Sequence, residues 1–236
     1  MDTGTLGEII RKKEKYIMTH KLIIVDGIPG SGKSTLSEMI SKELDKQEIN
    51  NIFYHELTEN HPLFIWERKF TTLKDKEEAE YYFNRVVELF NSFVESHKNK
   101  SEVIIIESVL FQDTLSFAYN RGMDRLKIEE LFSKLVDILR NMNPILVYIY
   151  QLNVRRNWEI IGKVRGVEWI ASLHTQEGLD EAERDWKPNQ EFIKSLIEEW
   201  KIPKLIIENK DYLWEEYNER TKEFLRANSM LSDKIT

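Results

Sequence analysis

The chain of 236 residues contains no cysteine. That absence excludes disulfides, thiolate zinc sites and cysteine nucleophiles. No apolar run approaches the roughly 20 residues that a membrane-spanning helix requires, and nothing resembles the apolar core and small-residue cleavage site of a secretory signal. Internal repeats, low-complexity stretches and Pro-rich linkers are absent too. These absences lead us to expect a soluble, cytoplasmic protein with one domain and no membrane partner. Positive charge is in deficit, with 34 Lys and Arg against 41 Asp and Glu and a net charge of -7. Such a balance argues against a surface that grips a nucleic-acid backbone and favours a small-molecule partner. No His cluster of metal-binding kind and no Ser-His-Asp arrangement is apparent. The basic stretch Arg11, Lys12, Lys13 and Lys15 is interrupted by Glu14 and reads as a solvated N-terminal extension over 1–18, which leaves 19–236 as the domain.

What is present is an alternation of buried-strand and helix patterns, the signature of an α/β domain with a parallel sheet. Strand-like runs occur at Lys21 to Asp26, Asn51 to His55, Val103 to Glu107, Ile145 to Gln151 and Lys204 to Glu208. Between the second and third runs, Ala79, Tyr82, Phe83, Val86, Val87, Phe90, Phe93 and Val94 follow the spacing of one helix face, and Asp75 with Glu78 would form its capping box. Ile128 to Met142 carries a second such face. From Asn153 to Asn189 the chain turns polar, with Gly162, Gly166 and Gly178 scattered through it, and a mobile lid is expected there. A last helix is expected around Leu213 to Leu225.

The stretch Gly27-Ile28-Pro29-Gly30-Ser31-Gly32-Lys33-Ser34-Thr35 fits G-x-x-x-x-G-K-[ST] and lies between a buried strand and a helix. Glycines let successive backbone N–H groups turn onto phosphate oxygens, and the start of the helix adds its positive end. Lys33 would reach the β- and γ-phosphates, and Ser34 would ligate magnesium. The same cradle serves motors, switches and kinases, so other residues must choose among them. A guanine-reading N-K-x-D is only approached by Asn209-Lys210-Asp211, which lacks the intervening residue, so ATP is the expected donor with GTP left open. A motor would carry an acidic pair where Glu107 is followed by Ser108.

With the cradle, a carboxylate after the second strand, an acid closing the third and arginines after the fourth, the chain resembles the P-loop kinase group. That group holds nucleoside monophosphate kinases, deoxynucleoside kinases and chloramphenicol phosphotransferase-like proteins. The segment Asn60-His61-Pro62 also resembles one found in bacterial P-loop proteins of uncharacterised kind. The resemblance implies a three-layer P-loop NTPase fold, with five parallel strands ordered 2-3-1-4-5, helices on both faces and a lid at 153–189. It implies transfer of a phosphoryl group to a hydroxyl or phosphate of a small molecule, with a regulatory NTPase as the alternative, and it leaves room for a homodimer.

By the same resemblance Glu56 is the general base or acceptor-binding acid, with Glu59 further from the strand end. Trp66 is then the aromatic of the acceptor pocket; from position alone, His61 before Pro62 would line that pocket, and Gln112 and Asp113 would face the same cleft if Val109 to Tyr119 forms a helix. Glu107 would hold magnesium beside Ser34, and Asp26 would join that metal shell or contact the acceptor. Ser108 stands where deoxynucleoside kinases carry an arginine, which weakens the case for a nucleoside acceptor. Arg155, Arg156, Lys163 and Arg165 lie where kinase lids carry the arginines that offset charge on the moving group, and Arg156 and Arg165 are the candidates for catalysis. The lid motif continues through Gly166 and Val167 to Glu168. Asn209 would contact the nucleotide.

Overall fold

The computed structural model describes residues 20–165 and 171–232. The expected extension at 1–18, and Gly166, Val167 and Glu168 of the lid motif, lie outside the described residues.

Five parallel strands form one sheet in the order β2-β3-β1-β4-β5: β1 Leu22–Gly27, β2 Asn51–Tyr54, β3 Val103–Glu107, β4 Pro144–Gln151 and β5 Lys204–Asn209. In the central strand Leu22 is level with Ile104 of β3 and with Pro144 of β4. The strands β1, β3 and β4 are buried along their whole length, as strands covered on both faces must be.

Because side chains alternate across a strand, each central strand feeds two separate cores. Leu22, Ile24, Ile104, Ile106, Leu146 and Tyr148 meet one set of helices: α2 (Lys76–His97), α4 (Arg125–Leu139) and α6 (Gln176–Glu199). Ile23, Val25, Ile105, Ile145, Val147 and Ile149 meet the other: α1 (Lys33–Lys46) and α7 (Trp214–Ala227). A short α3 (Phe117–Asn120) follows a π-helical turn at Phe111–Ser116, and α5 (Val154–Arg165) follows β4.

Two local expectations change. Asp75 caps α2 by accepting from the N–H groups of Glu77 and Glu78. The carboxylate of Glu78, however, does not fold back to complete the capping box; it pairs with Arg68, a stronger charge-assisted partner. The described residues of the polar stretch after β4 are largely helical, because its few apolar residues have helical spacing. Val154, Trp158 and Ile161 of α5 bury against Leu173 and Leu179, with Ile28 of the cradle beneath them. Arg155 ties α5 to α6 through Asp180, Glu183 and, at 2.6 Å, Gln176. Composition alone hides these helices, since most of their polar residues sit on the outer face.

Among the described residues, no helix is long and apolar enough to cross a membrane.

The packing makes a graded prediction for urea denaturation. Ile105→Ala empties a fully buried site and should lower the unfolding free energy by about 2–5 kcal/mol. Asp75→Ala, which removes only the cap, should cost about 1 kcal/mol. Equal losses would contradict this arrangement.

Candidate functional site

The end of β1 runs straight into the cradle. Gly30 and Gly32 have φ of 72° and 99°, a left-handed backbone that other residues adopt only with strain. A Cβ on Gly32 would also lie 1.9 Å from Cη2 of Trp214, so the loop packs closely against the chain after β5. The helix α1 then starts at Lys33 with no side-chain cap and no acid in its first turn, leaving its leading N–H groups for an anion. Ser31 Oγ is buried and has no hydrogen-bond partner, which suits a phosphate oxygen. Thr35 is exposed on that first turn.

Lys33 is buried, and its Nζ donates to Ile28 O at 3.0 Å and to Gln112 Oε1 at 2.7 Å. Burial lowers its pKa, opposed by the charges of Asp26, Glu56, Glu107 and Asp113 around it. The amide of Gln112 links lysine to acids: its Nε2 donates to Asp113 Oδ1 at 2.8 Å and to Glu56 Oε2 at 3.2 Å. Gln112 itself is fixed by Asp26, whose carboxylate accepts from the N–H groups of Gly27, Phe111 and Gln112 at 2.8, 2.8 and 3.1 Å. Asp26 is therefore a strut between β1 and the π-helical turn.

Ser34 Oγ donates to Glu107 Oε1 at 2.7 Å. The other oxygen, Glu107 Oε2, is buried without a hydrogen bond, and His55 Nε2 lies 3.4 Å from it. One hydroxyl and one under-satisfied carboxylate at the mouth of the cradle fit magnesium, which takes few protein oxygens and completes its shell with phosphate and water. Among the described residues there is no cluster of three or more His, Cys, Asp or Glu that would hold a metal unaided.

A cavity of about 970 Å³ opens beside the cradle, with Pro29 in its wall. Phe64, Trp66, Phe70, Tyr82, Phe117 and Trp186 give it aromatic walls, and Glu56, Gln112 and Asp113 also line it. Of the expected acceptor residues, His61 does not line this cavity. Its ring stacks on Phe64 at 4.4 Å and its Nδ1 accepts from the N–H of Leu63 at 3.2 Å. Burial drives its pKa down to about 4, so it stays neutral and props the wall from behind.

The remaining candidates lie on the opposite side of the cradle. Asn209 is buried, its Oδ1 accepting from Tyr212 N at 3.0 Å and from the Tyr217 hydroxyl at 3.2 Å, with Nδ2 at 3.5 Å from Ser31 O. Arg156 reaches Asp211 at 3.1 Å and Lys210 O at 3.3 Å, which holds α5 to the loop after β5. Lys163 and Arg165 are exposed at the end of α5.

Comparison with known proteins follows from this geometry. Residues 8–150 match the family model described as the KAP family P-loop domain, more than half of the chain. The chain belongs to the KAP family. Among solved structures, the KAP domain is similar to thymidylate kinase from Ehrlichia chaffeensis, with a TM-score of 0.54 and 13% identity over 88% of this chain and 98% of that one. It is also similar to the YorR protein of Bacillus subtilis, solved in complex with phosphorylated GDP, with a TM-score of 0.50 and 15% identity over 89% and 98%. At such identities the likeness shows the fold, a P-loop kinase fold. A comparison with curated proteins gives no match.

Several residues of this KAP domain escape sequence reasoning. Asn157, on α5, donates to Pro29 O at 2.9 Å and accepts from the Tyr212 hydroxyl at 3.2 Å, so one buried amide fastens the loop tip. Trp186 comes from a helix that composition obscured, and His55 lies one residue before the acid that the sequence singles out.

Burial raises Asp113 to about 7 and Asp26 to about 6, both from 3.8. The native state thus binds these protons more tightly than the unfolded chain, and the stability they contribute is complete below pH 3.8 and lost as pH rises through 6 to 7. Asp113→Asn removes the larger of these shifts. Its melting temperature should gain on that of the parent between about pH 5 and about pH 8; a gap that stays constant would contradict the placement.

Proposed function

We propose that this KAP domain is a phosphotransferase that moves the γ-phosphoryl group of ATP to a hydroxyl or phosphate of a small molecule held in the aromatic cavity. The observation that carries this reading is the continuity of cradle and cavity. Pro29 belongs to both, and Gln112 joins the phosphate-binding Lys33 to two carboxylates on the cavity wall. A hydrolytic switch has no use for an acceptor chamber at that position.

In the proposed step with a hydroxyl acceptor, its oxygen forms a bond to the γ-phosphorus. The bond from that phosphorus to the β,γ-bridging oxygen breaks, and ADP leaves with the electron pair. Glu56 takes the hydroxyl proton and orients the oxygen in line. Lys33 offsets charge on the transferring group, and the arginines of α5, Arg156 and Arg165, are the proposed lid charges. Ser34 and Glu107 would hold magnesium, which when bound neutralises the β- and γ-phosphates. Trp66 and Gln112 are proposed acceptor contacts. Because the oxygen of Asn209 is taken up by Tyr212 and Tyr217, a guanine-reading role for it is not supported, and ATP is the proposed donor. A cytoplasmic setting is proposed with it.

The test is ADP release in the presence of nucleosides, nucleotides, aminoglycoside-like alcohols and phenols. Release should depend on one acceptor class. Lys33→Ala should lower kcat by a factor on the order of 100 or more, and Glu56→Gln by about 10²–10⁴ with little change in ATP affinity. ADP release that ignores every acceptor, while still needing Lys33, would replace this reading with a nucleotide-hydrolysing regulator.

A further inference from the structure

The charges around the cavity are separated by sign. Glu56 and Asp113 stand at the end that meets Lys33, and Arg68, Lys69 and Arg121 also line the wall. The two acids share the Nε2 of Gln112, whose oxygen accepts from Lys33. A phosphate monoester brought to that end would set its negative oxygens against the carboxyl oxygens of Glu56 and Asp113, whereas a hydroxyl would offer Glu56 a proton to accept.

At the other end the balance reverses. Arg68 is neutralised by Glu78 and lies over the ring of Tyr81 at 4.4 Å. Lys69 and Arg121 have no carboxylate partner among the described residues; both are exposed, and Arg121 Nη1 donates to Thr71 O at 3.3 Å. That bond and the one from Leu73 N to Arg121 O at 2.8 Å strap the segment just after Lys69 to the end of α3, which brings the two cations' stretches of chain together. Asp113 and Arg121 belong to one helical run from Phe111 through Asn120 and its cap. At the rise of a helix they are on the order of 10 Å apart.

We infer that the acceptor is an alcohol with a negatively charged far end. It would be a flat, ring-bearing molecule whose hydroxyl meets Glu56 and Asp113, and whose carboxylate, sulfonate or similar anionic group lies on the order of 10 Å away, facing Lys69 and Arg121. The aromatic walls between the two ends supply the stacking surface. This inference rests on the phosphotransferase reading and narrows its acceptor class.

Binding can be read without turnover. Two fluorescent probes of nearly the same aromatic shape, anilinonaphthalene sulfonate (anionic) and phenylnaphthylamine (neutral), are titrated into the full chain while quenching of its tryptophans is followed. The anionic probe should bind more tightly by a factor on the order of ten. The preference should vanish in the double variant Lys69→Gln, Arg121→Gln and persist in Lys69→Arg, Arg121→Lys. High salt should erode it in the parent protein, a measurement that needs no variant. Equal affinity for the two probes, or a preference unchanged by the double Gln variant and by salt, would overturn the inference. The two readings fail separately. Acceptor-independent ADP release alongside an intact anion preference would sink the phosphotransferase; acceptor-dependent release that favours neutral alcohols or phosphate esters, with no anion preference, would sink only the inference drawn here.

Discussion

One buried ammonium group organises this site. Lys33 is enclosed by four carboxylates, and a charge removed from water is tolerable only when its surroundings are tied to it by hydrogen bonds. Gln112 supplies that tie, turning its oxygen to the lysine and its nitrogen to the acids. Everything that fixes Gln112 therefore matters to the chemistry. Asp26 receives the N–H groups of Phe111 and Gln112, and the chain opens there into a wider π-helical turn, a local irregularity often found where function demands it.

The same logic explains why the site sits where it does. Three wholly buried strands end together at Gly27, Glu107 and Gln151, and their carboxyl ends deliver the cradle, the acid facing Ser34 and the start of α5. The sheet is rigid because each strand serves two cores at once. Polar side chains that must hold fixed geometry are thereby carried on the least mobile part of the molecule.

How much of this could be read from residues alone depended on whether the signal was periodic. The strands and the cradle were legible, since buried runs and a glycine-lysine pattern have strict spacing, whereas the strand order came only through the resemblance to P-loop kinases. The acid at the end of β3 was legible because it closes a buried run. The capping partner of Glu78 was not, for a distant Arg68 outcompeted the local N–H. His61 was misleading: a histidine beside a proline in a loop invites a binding role, yet its ring turned inward to stack on Phe64. The helices after β4 were hidden because their charged outer faces dominate composition, and Asn157 offered no sign that it would clasp Pro29.

One wall of the cavity lies outside the matched segment. The segment shared with the KAP family ends at residue 150, whereas Trp186 reaches the cavity from α6, beyond it. Buried Asn189, one turn further along that helix, anchors it to Ser116 at the end of the π-helical turn and to Asn120 at the end of α3. The cradle and this part of the chamber are thus written in different stretches of chain. Sequence drift in α6 could reshape what the chamber admits while leaving the cradle and the arginines of α5 untouched, which makes that helix a natural place for relatives sharing this architecture to diverge in diet.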